Sequence, residues 1–208
     1  MVGVDEHPLL ELAVVCVDLD RPLASYETPA RALALFEDLA HAPAAEEPTK
    51  GAIRRMLRRG GFKPAGRSKP ASEYLVAARS KGRLGPINCA VDLCNAASLH
   101  TGVPISVVDR HRLEGAGRVA VASAGASYVF NHAGQVIDCT GLLSLADDRG
   151  PCANAVKDSQ RTKTHEAFTS LLYLCWGSTE LTGVAAQAAG WCADVWTQLG
   201  ARVDRGPW

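Results

Sequence analysis

The sequence lacks a long hydrophobic run and a recognisable leader. No stretch of its 208 residues approaches the roughly eighteen consecutive apolar side chains that a transmembrane helix needs. The first eight residues carry acidic side chains where a signal peptide has a basic region, and no apolar region with a small-residue cleavage site follows. These absences predict a cytoplasmic protein. Its 47% hydrophobic and 21% charged residues are the composition of an ordinary globular domain.

The sequence also lacks the close cysteine pairs of zinc sites and redox motifs. Its seven cysteines include no C-x-x-C pair, and the two nearest in sequence, Cys89 and Cys94, are five residues apart. Zinc sites and disulfide frameworks are usually marked by short paired spacings, so we expect no metal and no cofactor. Most of these thiols are expected to be small buried side chains, with Cys94 and Cys139 kept open as functional candidates. Dinucleotide, P-loop and HExxH signatures and internal repeats are missing as well.

Charge of one sign is nearly missing from two segments, although the totals balance at 22 basic and 22 acidic residues. Residues 1–49 hold two basic side chains against ten acids, whereas residues 50–83 hold eleven basic side chains against Glu73. A basic segment of this kind attracts polyanions and favours nucleic acid as a partner. The alternative is a solvated basic surface that faces the acidic segment of the same chain.

The pattern of apolar residues predicts an α/β chain. Strands are predicted at residues 9–18, 105–108, 118–122, 127–131 and 135–139, with a hairpin connection at 131–134. Helices are predicted from a Thr28 cap to residue 40, and at residues 52–59, 70–82, 88–101, 164–175 and 181–199. Residues 41–49 are expected to form a linker.

The predicted helix at residues 88–101 carries two polar rows. Asn88, Asp92 and Asn95 share one face, and Cys94, Ser98 and Thr101 form a second row at helical spacing. Either row could line a pocket, because amides donate and accept hydrogen bonds and a carboxylate can orient water. The alternative is local: Asn88 as a helix cap, and Ser98 and Thr101 as ordinary polar residues of the last turn.

The run VDLCNAASLHTGVPISVVD, together with a following strand and QVIDCTG, resembles the editing (B-three/B-four) domain of the phenylalanyl-tRNA synthetase beta subunit. Asp92, Asn95, the pair Gly102 and Pro104, and Asp109 match that family's pattern in order. The flanks are similar to free-standing members, whose recurring Asp-Ser-x-Arg-Thr element reads here from Asp158 to Thr162 after Lys157. The resemblance covers residues 50–177. It implies one domain over residues 1–208, with residues 1–49 as an extension and 178–208 as a C-terminal helix.

The resemblance implies a central mixed sheet flanked by helices, with a pocket for the aminoacylated end of tRNA. A free-standing copy would hydrolyse the ester of a mischarged aminoacyl-tRNA in trans. Three positions depart from the family: Ser106 replaces the pocket His, Cys94 replaces a Thr, and Ala126 replaces a Glu. Ester hydrolysis can proceed with an oriented water and a polarised carbonyl, so these departures still allow a hydrolase. Two rivals are a non-catalytic tRNA- or RNA-binding module and a small-molecule amino-acid binding protein.

These considerations assign candidate roles to three groups of residues. The catalytic candidates are Asn95, Ser106, Asp138 and Asp158. The substrate-binding candidates are Asn88, Asp92, Cys94, Ser98, His100, Asp109 and Arg161. The tRNA-binding candidates are Arg54, Arg55, Arg58, Arg59, Lys63, Arg67 and Lys69. Asp158 and Arg161 have an alternative role as an ion pair that holds the last helices to the sheet.

Overall fold

A computed structural model describes residues 2–37 and 46–205. The strands of this part are β1 (Val2–Val4), β2 (Leu10–Asp18), β3 (Ile105–Asp109), β4 (Gly117–Val121), β5 (Ser127–Val129), β6 (Val136–Asp138), β7 (Leu143–Asp147), β8 (Gly150–Asn154), β9 (Ser170–Ser178) and β10 (Arg202–Asp204). The α-helices are α1 (Ala30–Glu37), α2 (Glu47–Arg58), α3 (Ala71–Arg79), α4 (Cys89–Thr101) and α5 (Val184–Gln198). No helix in these ranges is both long and apolar enough to cross a membrane.

The strands form two four-stranded sheets and a hairpin. The first sheet has the order β10-β2-β9-β3, and all its neighbouring strands are antiparallel. The second has the order β1-β4-β7-β8, with a parallel pair only between β1 and β4. β5 and β6 pair with each other. The expected α/β class, with sheets flanked by helices, is confirmed.

The first sheet lies between two hydrophobic cores, with one core on each of its faces. On β9, Leu171, Tyr173 and Cys175 belong to the core that includes α4 and α5. The alternate residues Leu172, Leu174 and Trp176 belong to the core that includes α2 and the second sheet. Successive side chains of a strand point to opposite faces, so β9 is buried throughout.

The burial of β9 explains a wrong prediction. We expected a helix at residues 164–175, but residues 170–178 form this central strand. A strand covered on both faces is a continuous apolar run, which cannot be distinguished from a buried helix by periodicity. Strands β1, β7, β8 and β10 were not predicted either. The predicted linker is partly wrong, because α2 begins at Glu47; residues 41–45, and the predicted helical residues 38–40, lie outside the described residues.

The helix expected at residues 88–101 is confirmed as α4. The Asn88 side chain caps its first turn by accepting from the Val91 amide at 3.0 Å, and Gly102 ends it with φ of 75°. β3 follows after the three-residue connection 102–104. The strand at β2, the basic helix α2, and the hairpin between β5 and β6 are confirmed as well.

Candidate active site

A cavity of about 400 Å³ opens between α4, β3 and the segment after β8. Most of its walls are apolar, and its polar wall carries amides, a carboxyl, an ammonium and a hydroxyl. The lining residues are Ala71, Ile87, Asn88, Val91, Cys94, Asn95, Ile105, Val107, Asp158, Lys163 and Thr164. An apolar pocket with a few convergent polar groups is the usual form of a small-molecule site.

Asp158 provides the carboxyl of this cavity. Its Oδ1 accepts from the Ser106 hydroxyl at 2.7 Å and from the Asn154 amide at 3.2 Å. Burial raises the pKa of Asp158 to about 7, and the hydrogen bond from Ser106 opposes that shift. At neutral pH this carboxyl can therefore both accept and release a proton, as a general base and acid must.

Lys163, which was not among the residues predicted from the sequence, provides the ammonium. Residue 163 forms an isolated antiparallel bridge with Val108, which holds it beside β3. Its ammonium donates to the Phe130 carbonyl. Burial lowers the pKa of Lys163, while the carboxylate of Asp158 opposes that shift. The only signal in the sequence was its position one residue after the recurring Asp-Ser-x-Arg-Thr element.

The two asparagines predicted for the pocket do line it. The Asn88 amide donates to the Thr164 hydroxyl at 3.4 Å, and Asn95 lies two turns further along the same face of α4. Cys94 lines the cavity too, with its thiol donating to the Ile105 carbonyl at 3.2 Å. Burial raises the pKa of Cys94 well above that of an ordinary thiol. Since the thiolate is the nucleophile, Cys94 is a wall of the cavity rather than an attacking group.

Ser106 lies behind the cavity rather than in its wall. Its side chain is on the face of β3 opposite to Ile105 and Val107 and is 1% exposed. Besides donating to Asp158, its hydroxyl accepts from Trp176 Nε1 at 2.9 Å. Ser106 therefore connects a core tryptophan to the cavity carboxyl and is placed to position that carboxyl.

Three other candidates on α4 do not line the cavity. Buried Asp92 accepts from the Thr28 hydroxyl at 2.6 Å and from the Ile87 amide at 2.8 Å. Ser98 donates to the Val103 carbonyl at 2.8 Å, and His100 Nε2 lies 3.0 Å from the Leu35 carbonyl oxygen. These bonds hold the ends of α4 to neighbouring segments.

Asp109 and Arg161 also lie outside the cavity. Asp109 accepts from the His111 amide and lies 3.2 Å from His165 Nε2. Arg161 forms a two-pronged ion pair with buried Asp147, at 2.7 and 2.8 Å. The alternative pairing of Arg161 with Asp158 is therefore wrong.

Asp138 belongs to a second cavity of about 470 Å³. This cavity lies between the β5–β6 hairpin and the segment around Arg67, and its lining combines aromatic, apolar and basic side chains. The lining residues are Phe62, Arg67, Ser68, Phe130, Gln135, Val136, Ile137, Asp138, Val156 and Lys157. Asp138 is exposed at its rim, where the Thr140 amide holds the pKa of the carboxyl below its usual range.

The basic segment divides into paired and unpaired cations. Arg54 makes two hydrogen bonds of 2.7 Å to buried Glu73, and Arg55 pairs with Glu180. Within the described part of the chain, five of the tRNA-binding candidates have no carboxylate within 4 Å. These are Arg58, Arg59, Lys63, Arg67 and Lys69. Residues 2–37 and 46–205 contain no cluster of three metal-ligating side chains.

No protein-family model and no curated protein match this sequence. Among solved structures, the chain is similar to an N-terminal fragment of the phenylalanyl-tRNA synthetase beta-subunit from Pyrococcus horikoshii, with a TM-score of 0.51 and 9% sequence identity. The alignment covers 98% of this chain and 50% of that one. The chain thus has a fold related to that of the synthetase fragment, and spans about half the fragment's length.

Proposed function

We propose that this protein hydrolyses the ester of a mischarged aminoacyl-tRNA, acting in trans in the cytoplasm as a free-standing relative of the synthetase editing domain. The observation that carries the proposal is the Asp158 carboxyl, with a pKa of about 7, in an apolar cavity that also presents Asn88, Asn95 and Lys163. The related fold of the synthetase fragment and the matched sequence elements support the choice of substrate class.

The chemistry follows from these groups. The aminoacyl side chain would pack on Val91, Ile105 and Val107, which places the ester carbonyl near the polar wall. The Asp158 carboxylate takes a proton from water as the water oxygen attacks the carbonyl carbon. The Lys163 ammonium and the Asn95 amide stabilise the negative oxygen that forms. Collapse of this intermediate breaks the ester bond, and Asp158 returns the proton to the departing ribose oxygen.

Incubation with a panel of mischarged tRNAs tests this proposal. The protein should release free amino acid from at least one member faster than buffer alone, and Asp158→Asn should slow the release by about 100-fold or more. Asp194→Asn is a matched control, because it makes the same chemical change at an exposed position of α5. Absence of release from every tRNA, or equal rates for both variants, would overturn the proposal.

Two alternatives have observations of their own. A non-catalytic tRNA-binding module is favoured by the unpaired cations of the basic segment, and it would bind uncharged tRNA with a steep salt dependence but no turnover. An amino-acid binding protein is favoured by the carboxyl of Asp158 and the ammonium of Lys163 in one cavity, which are complementary to the charges of a free amino acid. That protein would bind amino acids by calorimetry and would not require tRNA.

A further inference from the structure

Cations and aromatic rings alternate in a row that leads from the second cavity to the first. Lys69 Nζ lies 4.8 Å from the centre of the Tyr74 ring, and Lys157 Nζ lies 5.6 Å from the same centre. Lys157 Nζ also lies 4.4 Å from the centre of the Phe130 ring, which lies 5.6 Å from Lys163 Nζ. Lys163 lines the cavity that contains Asp158. We call these five residues the cation–aromatic row.

Within the part of the chain that the structure describes, the cations of this row form no ion pair with a carboxylate. Among the described residues, no carboxylate lies within 4 Å of Lys69, Lys157 or Lys163. Arg67 lines the same cavity as Lys157, and its charge adds to the lowering of the Lys157 pKa that burial causes. Three acids lie nearby: Glu73 is held by Arg54, Asp138 is at the rim of the second cavity, and Asp158 acts on the charge of Lys163 inside the first cavity. The surface is therefore complementary to a chain of negative charges.

The rings of the row and the apolar side chains beside them form a partly exposed surface on which bases can stack. Phe130 and Tyr74 are partly exposed, and Val136, 62% exposed, and Ile137 line the cavity beside Phe130. Bases that are free of a duplex stack on aromatic side chains, while Lys and Arg contact the phosphates between them. A duplex does not present its base faces, so this combination favours a single strand.

We propose that the cation–aromatic row, with Arg67, binds the single-stranded 3′ end of an RNA. Its bases lie against Tyr74 and Phe130, its phosphates lie against Arg67, Lys69 and Lys157, and its last nucleotide reaches the first cavity at Lys163. This inference rests on the proposed function for the direction of the strand, because the acylated end must enter the cavity with Asp158. It moves the principal RNA contacts from the arginines of α2 to the surface between α3 and the β5–β6 hairpin.

The direct test measures binding of a labelled single-stranded RNA of twelve nucleotides ending in CCA by fluorescence anisotropy at several salt concentrations. Lys157→Gln and Arg67→Gln should each weaken binding several-fold and reduce the slope of log affinity against log salt by about 0.7. Phe130→Leu should weaken binding about tenfold, and Phe130→Tyr should restore it. Arg202→Gln is the charge-matched control on β10, at the opposite edge of the first sheet, and should bind as the unaltered protein does.

Each outcome decides the inference. Equal affinity of the Lys157, Arg67 and control variants would overturn it, as would tighter binding of a duplex of the same sequence. Binding of adenosine monophosphate as tight as that of the RNA would indicate a mononucleotide site instead. If Phe130→Leu melts at a lower temperature, the two surface charge variants decide alone.

The binding test is independent of turnover and separates this inference from the proposed function. RNA binding that depends on the row, without deacylation of any tRNA, would support the row and overturn the hydrolase. Deacylation with KM unchanged in Lys157→Gln and Phe130→Leu would support the hydrolase and overturn the row. If both hold, these variants should raise KM and leave kcat unchanged, a division that a purely structural role would not produce.

Discussion

The Ser106 hydroxyl donates to the Asp158 carboxyl at 2.7 Å, a contact between residues separated by 52 positions in the chain. The same hydroxyl accepts from Trp176 in the core. Ser106 therefore couples the interior of the protein to the one carboxyl in the candidate active site.

The raised pKa of Asp158 predicts a pH-dependent stability. The pKa is about 7 in the folded protein, against an ordinary value of 3.8, so folding favours the neutral carboxyl. The free energy of unfolding contributed by this group is fully present below pH 4 and is lost as pH rises towards and through 7. Asp158→Asn removes the ionisation, so its stability relative to the unaltered protein should increase by a few kcal/mol between pH 4 and pH 8. Urea unfolding across this pH range measures the difference, and a constant difference would contradict it.

Ser106→Ala should affect two hydrogen-bond partners of the hydroxyl, Asp158 and Trp176. It removes a hydrogen bond that lowers the pKa of Asp158, so that pKa should rise further and the rising limb of a pH–rate profile should move to higher pH. It also leaves the buried Trp176 N–H without its acceptor, which should cost about 1–3 kcal/mol of stability. Chemical unfolding and the deacylation profile measure the two effects. An unchanged profile would show that the hydroxyl does not influence the carboxyl.

Arg54→Ala should destabilise the protein much more than Arg55→Ala does. Arg54 holds Glu73, whose side chain is 8% exposed, with two hydrogen bonds, so its removal leaves a nearly buried carboxylate unpaired. We expect a loss of about 2 kcal/mol. The Arg55 side chain is 55% exposed, and its ion pair with Glu180 is solvated. Urea midpoints of the two variants measure this order. Equal midpoints would show that the ion pair of Arg54 with Glu73 stabilises the protein no more than the ion pair of Arg55 with Glu180.

Gly60→Ala should be destabilising although α2 has already ended there. A methyl group at residue 60 would lie 2.2 Å from the Gly141 carbonyl oxygen and 2.6 Å from Val121, so the loop between β6 and β7 would have to move. Overpacking of this kind costs about 2 kcal/mol or more. Gly190→Ala on α5 meets no atom within 4 Å and should be neutral or stabilising. Thermal melting of both variants checks the prediction, and a Gly60→Ala melt at or above that of Gly190→Ala would refute it.

An element is predicted correctly where its own residues contain the signals that begin, continue and end it. α4 has a capping Asn88, helical spacing and a terminating Gly102, all within fifteen residues, so its bounds follow from the sequence. β9 has no such signals. Its two apolar faces are covered by α4 and α5 on one side and by α2 and the second sheet on the other, so its burial depends on segments outside the strand.

Some residues of the candidate site could be predicted from the sequence and others could not. Asn88, Asn95 and Asp158 were predicted from the sequence to act in one pocket, and the structure brings these three side chains to one cavity. Asp138, Asp109 and Arg161 were also predicted for the site, and the structure places them elsewhere. The position of Arg161 could not be predicted because its partner is set by strand pairing. Strand β7 brings the carboxylate of Asp147 beside the turn after β8, where Arg161 lies.

By itself, the sequence determined the α/β class, the helix that carries the pocket asparagines, and the concentration of positive charge between residues 50 and 83. Helix periodicity, caps and net charge are properties of neighbouring residues, so they can be read without the fold. Only the tertiary structure decided which of those cations are neutralised, that Lys163 joins Asp158, and that Tyr74 and Phe130 lie in one row with three lysines. These relationships connect residues up to 125 positions apart, and only strand pairing and core packing bring such segments together.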